Sequence, residues 1–427
     1  MELRCTHSGR LLRYRTRLEL RLFESTLERF SDFLTVLPTD EELATCRNLV
    51  LDLSSLSTAY PSLAAVLAAW IQRHEPLLEA DNFELDYIAP DSPRVERWLD
   101  SVGFTHHVLN TAVRVRRKDR YRTMVLHEIA PGARDASDTV ADDVDALIKR
   151  NGIPVRSDLP NPLFAPLSEV VENITRHAHI SSSAFACAQV HPQTSKFSVC
   201  IADAGIGLAE SFRIAPYAPA RRRMEAGDSP LDLAIEPLMS SKYGMGHSGY
   251  GLFYTSELCA LSKGTFWLTS GTESLVIYPN GRYKKSQGPW RGTIVHMLLD
   301  TSALVDDSQV WQKLAHLDEE DTRVRYLESH PACFELRAFG PRLLTRDMGA
   351  QIRTVALGRG AAELAVSLNG IEVMTPSFAD EFFGGLYTHL GPIQFSTVVA
   401  VIDCDDYTSR LIETVLKHRA ERHEQLP

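Results

Sequence analysis

Short apolar runs, closed by turn residues and followed by helix-like stretches, recur along this chain and predict a mixed α/β fold. Residues 48–53 read as a buried strand, and after a turn Tyr60-Pro61-Ser62 opens an Ala/Leu-rich helix reaching Trp70. Proline suits that first helical turn, because its missing N–H would find no intrahelical partner there. A second unit of the same kind lies far downstream. There Val366 to Ile371 forms strand and turn, and Thr375-Pro376-Ser377-Phe378-Ala379 opens the helix. Leu53, Leu56, Pro61, Ser62 and Ala64 map without gaps onto Leu368, Ile371, Pro376, Ser377 and Ala379. The match is short, and chance similarity is its alternative. Taken as a repeat, it predicts two similar α/β modules on either side of a central region.

The central pattern predicts a strand at Thr123–Ile129, a helix over Thr139–Lys149 and a proline-rich loop leading into a helix around Glu169. Strands Ala184–Val190 and Phe197–Ala202 follow, then a polar stretch, 209–245, expected to be mostly loop with a helix near 230–239. A helix from Gly251 leads to three strands, Thr265–Thr269, Ser274–Tyr278 and Thr293–Leu298. The acidic segment 301–330 reads as a helical linker. Beyond it come a strand at Phe334–Phe339, a helix near 343–357, the Val366 strand and the Pro376 helix. A strand at Ser396–Ile402 and a last helix from Tyr407 complete that end.

A chain of 427 residues exceeds one ordinary core, so two or three domains are expected. The net charge of −10 argues against a general nucleic-acid binder, although Arg221-Arg222-Arg223 forms a local basic patch. That triplet suits an exposed loop as well as a phosphate contact. The seven cysteines are scattered without a Cys-x-x-Cys pair, which suits a reducing compartment and offers no zinc site. The N-terminus begins no signal-peptide core, and no apolar run approaches membrane-spanning length, so a cytoplasmic protein is expected.

Three segments carry candidate chemistry. On a helix, Glu169 and Asn173 project from one face. The amide oxygen could ligate Mg²⁺ and the carboxylate could act as general base, although a solvated helix face would show the same spacing. Asp203 ends an apolar strand, where its carboxylate could accept from an exocyclic amine such as that of adenine. Gly205 and Gly207 remove Cβ atoms where a base would pack, and a plain Asp/Gly turn is the alternative. Gly244, Gly246, Gly249 and Gly251 form a glycine-rich entry into a helix, whose free N–H groups favour phosphates. A flexible loop is the alternative there. Neither a P-loop nor an early dinucleotide-binding fingerprint is present.

Together these segments resemble the N, G1 and G2 boxes of the gyrase–chaperone–histidine kinase–MutL (GHKL) ATPase superfamily. Pro166-Leu167-Ser168-Glu169-Val170-Val171-Glu172-Asn173 is most similar to its anti-sigma-factor kinase branch. The resemblance implies a central Bergerat-type α/β sandwich over about residues 120–300 that binds ATP and Mg²⁺. It carries over Glu169 as general base, Asn173 as metal ligand and Asp203 as adenine partner. Gly205 and Gly207 would line the base, and Gly246, Ser248, Gly249 and Gly251 the phosphates. Thr293 would support Asp203, and residues 209–245 would be a lid. No separate dimerisation segment with an exposed phosphoacceptor histidine accompanies His177 and His179, which argues against a histidine autokinase.

Thr375-Pro376-Ser377-Phe378-Ala379-Asp380-Glu381 looks like the STAS-like domain that often follows such ATPase modules in bacteria. Where STAS antagonists carry an Asp and a phosphorylatable serine, this chain has Thr375 and Pro376, and Tyr60 and Pro61 in the upstream copy. Ser62 and Ser377 fall one position late and read as capping or packing residues. The expected division is 1–118 STAS-like, 119–305 ATPase, 306–330 linker and 331–427 STAS-like. The two STAS-like modules would flank the central sandwich. The expected function is a nucleotide-dependent switch acting on a protein partner through those modules, with room for a homodimer and no membrane or nucleic-acid partner. A protein serine/threonine kinase acting on a separate STAS protein is the second expectation, and a module that holds ATP without turnover the third.

Overall fold

The computed structural model describes residues 2–23, 30–78, 83–109, 122–133, 135–153, 164–177, 183–215, 218–236, 239, 251–303, 324–327, 333–358 and 364–424. Its architecture is mixed α/β and is organised by three larger sheets. The first has five strands in sequential order, Glu2–Cys5, Gly9–Tyr14, Arg17–Leu22, Asn48–Asp52 and Glu84–Ile88. Its first three strands are antiparallel and its last two join in parallel. The helix Pro61–Leu78 leaves this sheet and packs on strands of the next one.

The central sheet is antiparallel throughout. Its order is His127–Ile129, Ala184–His191, Lys196–Ala202, Gly281–Asp300 and Thr265–Tyr278. Alternation along its strands sorts side chains onto two faces. Ala184, Ala186, Ala188, Phe197, Val199 and Ile201 meet helices Ala136–Arg150, Phe164–His177 and Gly251–Leu261 in one core. Phe185, Cys187, Cys200 and Ala202 point the other way and join Leu63, Leu67 and Trp70 of the Pro61 helix in a second core. Both faces are thus buried, which explains why these strands read as nearly continuous apolar runs. Cys187 and Cys200 stand directly opposite each other on the face covered by the Pro61 helix.

The third sheet is parallel, in the order Arg325–Leu327, Val399–Ile402, Leu364–Ser367 and Phe334–Glu335. A two-stranded ladder, Arg342–Leu343 with Val373–Met374, sits beside it. The helix from Pro376 begins on Thr375, whose hydroxyl accepts from Phe378 N–H at 3.0 Å. It passes through a π-helical turn, Asp380–Gly384, and continues over Gly385–Leu390.

Several expectations are corrected. The three expected strands after the Gly251 helix are two long ones, Thr265–Tyr278 and Gly281–Asp300, joined by a tight turn. Gly271 and Gly292 occupy irregular stretches of one continuous hairpin. Phe334–Phe339 is a two-residue strand followed by a 3₁₀ turn, Leu336–Phe339. Residues Pro392–Val398 are helical, so the strand expected from Ser396 begins only at Val399. In the polar stretch the helix expected near 230–239 is present as Pro230–Ala234, and Gly207–Arg213 and Ala218–Glu225 are further helices where loop was expected. Arg325–Leu327, placed in the acidic linker, is an edge strand paired with Val399–Ile402. Most of that linker, residues 304–323, lies outside the described residues. Among the described residues no helix is long and apolar enough to cross a membrane.

Candidate functional site

The helix Phe164–His177 is built on Leu167, Val170, Val171 and Ile174, an i, i+3, i+4, i+7 stripe that turns it onto the central sheet. Glu169 and Glu172 flank that stripe and would ordinarily remain in water. Both are instead buried, at 5% and 6% exposure. The C-terminal module covers them. Glu169 Oε1 accepts from Ser377 N–H at 3.0 Å, and Glu172 Oε1 accepts from Arg346 N–H at 3.2 Å. Each of these N–H groups belongs to the first turn of a helix, Pro376–Ala379 and Arg346–Gly358, where backbone donors lack intrahelical acceptors. Two carboxylates on one helix therefore cap two helices of another module.

Burial pushes the Glu169 carboxyl above its usual range, opposed by the Ser377 hydroxyl, the Arg346 charge and the Ser377 N–H. Arg346 is itself buried and bonds Asp380 Oδ2 at 3.1 Å, and Arg419 Nε donates to Asp380 Oδ1 at 2.7 Å. On its other side Glu169 is pressed against Gly251, the first residue of the helix Gly251–Leu261. A Cβ on Gly251 would stand 2.8 Å from Glu169 Oε2 and 3.3 Å from Asn173 Nδ2. Only glycine lets the three residues meet. Asn173 is half-buried, one turn beyond Glu169.

A second group forms at the end of strand Lys196–Ala202. Asp203 continues the alternation of Phe197, Val199 and Ile201, which directs it to the same face as the Glu169 helix. Thr293 precedes Val295, Met297 and Leu299 in the same sense on the neighbouring strand. Asp203 is 1% exposed, and its carboxylate accepts from Gly205 N–H at 2.8 Å and Thr293 N–H at 3.1 Å. Burial raises its pKa to about 7 in spite of those two bonds. Such a carboxyl is placed to gain from a further donor that desolvates with it.

Gly207 takes a left-handed φ of +77°, and a Cβ there would lie 2.8 Å from Ser270 Oγ and 3.1 Å from Gly292 O. Of the expected site residues, Glu169, Asn173 and Gly251 make one cluster and Asp203, Gly205, Gly207 and Thr293 another. Gly246, Ser248 and Gly249 lie outside the described residues, as does His179.

Sequence reasoning missed several contributors. Gly292 has φ +114°, and its missing Cβ would fall 2.2 Å from Asp203 O. Its position before Thr293 was the available signal. Ser270 Oγ donates to Gly292 O at 2.7 Å and accepts from Leu208 N–H at 3.0 Å, pinning the turn after Asp203. Trp290 Nε1 donates to Asp203 O at 3.0 Å. Ser377, read as a capping or packing residue, is buried at the helix start and also gives its N–H to the candidate base, while Thr375 does the capping. Glu172 carried a signal in its three-residue spacing from Glu169. Arg346 carried none.

Residues 355–408 match the family model described as a STAS-like domain of unknown function (DUF4325). The chain thus carries a C-terminal STAS-like domain, and the Thr375-Pro376-Ser377 helix start lies inside the matched segment. No curated protein matches the chain.

Proposed function

We propose that this chain is a Mg·ATP-binding ATPase of the GHKL class that works as a nucleotide-dependent regulatory switch, with the C-terminal STAS-like domain as its output. The observation that carries this reading is the double engagement of Glu169. One carboxylate oxygen holds the Ser377 N–H, and the other faces Gly251 at the start of the phosphate-side helix. A change in charge or position on the Gly251 side therefore acts directly on the group that holds the STAS-like domain.

The chain's residues fit the implied ligand. The buried Asp203 carboxyl, with Thr293 and the glycine turns beside it, would take an adenine amine. Gly251 is the first residue of its helix, whose N-terminal N–H groups would favour phosphate. Asn173 would hold Mg²⁺ through its amide oxygen. Among the described residues no group of three or more His, Cys, Asp or Glu could hold an ion, so the metal would rely on phosphate and water oxygens. When bound, the nucleotide supplies the phosphoanhydride and the metal its charge neutralisation. Glu169 would receive a proton from the water that attacks the γ-phosphorus, and its raised pKa suits that task.

The second reading is a protein serine/threonine kinase, favoured by the Ser377 hydroxyl beside Glu169. A separate STAS protein would have to displace the resident domain to reach that carboxylate. A protein partner and a homodimer belong to either reading. Incubation with γ-labelled ATP separates them: free phosphate alone supports the switch, and label on protein supports the kinase. Neither outcome would leave a module that only holds ATP. Glu169→Ala should abolish turnover and keep ATP binding, whereas Asp203→Asn should weaken binding itself. Unchanged ATP affinity in Asp203→Asn would remove the adenine assignment.

A further inference from the structure

On the sheet face away from the Glu169 helix, a cavity of about 860 Å³ lies between the N-terminal module and the central layer. It adjoins a second of about 410 Å³, and the two share Tyr60, Arg94, Arg122, Gln189 and His191. Lys196 lines the first and Arg97 the second. No Asp or Glu lines either cavity among the described residues. In a chain with 55 acidic and 45 basic residues, four cations around one groove without an acid make a pronounced local reversal of charge.

The guanidinium groups of Arg94 and Arg122 are exposed and carry no hydrogen bond or ion pair among the described residues. The other two cations are held: Lys196 by Asp300 at 3.0 Å, and Arg97, whose Nε donates to Pro93 O at 2.9 Å. Rings accompany the cations. Tyr60 and His191 lie 5.6 Å apart between centroids, Trp98 lines the smaller cavity, and Trp267 and Tyr278 line the larger. His191 Nε2 is out of solvent and has no hydrogen-bond partner among the described residues.

We propose that this groove binds a nucleotide ligand, a phosphate-bearing aromatic base, at a site separate from the Asp203 cluster. Cations alone would suit any anion, but rings interleaved with unpaired guanidinium groups fit phosphates and base faces together. An acidic peptide would leave the rings without a task. The chain's net charge still disfavours long duplexes, so the ligand is a free nucleotide or a short single-stranded segment.

The test uses the full chain with two pyrimidine probes, which avoids the proposed adenine site: thymidine monophosphate and an oligo(dT) of about 12 nucleotides. Fluorescence anisotropy should show binding that weakens with salt. The Arg94→Glu/Arg122→Glu double variant should bind at least tenfold more weakly, with a shallower salt dependence. Tyr60→Leu should cost roughly tenfold at unchanged salt slope. Both charges are at the surface, so thermal melting should be unchanged and a folding defect would be evident. Tight binding of the monophosphate identifies a free nucleotide, and binding of the oligomer alone identifies a strand. The proposal is overturned if neither probe binds, if the double variant binds normally, or if a polyglutamate peptide binds as well as either probe. ATP affinity, read separately, tests the Asp203 cluster independently of this groove.

Discussion

The Pro61 helix and the Pro376 helix begin alike and end against different surfaces. Each follows a parallel strand and starts with Pro-Ser. The Pro61 helix lays an apolar flank, including Leu63 and Leu67, on the back of the central sheet. The Pro376 helix presents its N-terminal end to Glu169. Ser62 is fully buried and its hydroxyl has no hydrogen-bond partner among the described residues, whereas Ser377 gives its N–H to the candidate base. The same local step is thus packing in one module and part of the site in the other. What separates them is the surface each helix meets, which a local motif does not encode.

The comparison breaks first at its apolar side. Leu67→Ala removes a fully buried side chain from the core shared with the central sheet and should cost about 2–5 kcal/mol. Denaturant unfolding should show the central layer losing stability together with the N-terminal module. If only the N-terminal transition moves, the two cores are energetically separate.

Ser377→Pro should have a smaller effect. It deletes the N–H that Glu169 accepts and leaves a buried carboxylate without that partner, a loss of roughly 1–3 kcal/mol. Ser377→Ala keeps the N–H and should hold the STAS-like domain in place, and Ser62→Ala should stay within about 0.5 kcal/mol of the parent. Hydrogen exchange of the 376–390 helix would rank the three. Equal protection in Ser377→Pro and Ser62→Ala would erase the distinction between the modules.

The pH dependence is the most graded effect. A carboxyl whose pKa is higher in the fold than in the unfolded chain holds a proton that the unfolded chain has released. Stability tied to Glu169 is therefore present below its ordinary value of 4.5 and is lost as pH rises through its raised folded value. Protection of the Pro376 helix should fall over that window, while protection of the Pro61 helix should not. Glu169→Gln should flatten the response, and a parent chain without slope there would contradict it.

Elements set by periodicity were legible from residue order. The strand ending at Asp203, the Leu167–Ile174 stripe and the glycine that opens the helix at Gly251 all follow local rules. The helix over Pro392–Val398 was not legible, because Phe395 and Val398 favour strands, while in the fold both pack on the core from a helix. The single long strand through Gly292 was hidden for a similar reason. A glycine ordinarily signals a break, but here it permits close approach to Asp203 O. The pairing of Glu169 with Ser377 spans 208 residues, and no local pattern reports a contact of that separation.

The opposed thiols of Cys187 and Cys200 give the covered sheet a chemical clock. Both are fully buried, and burial raises both pKa values, so neither reacts as a thiolate while the Pro61 helix is seated. When opening and reclosing are fast relative to modification, their alkylation rate counts how often that helix lifts away. Measured with and without ATP, the rate would reveal whether the covered face responds to nucleotide.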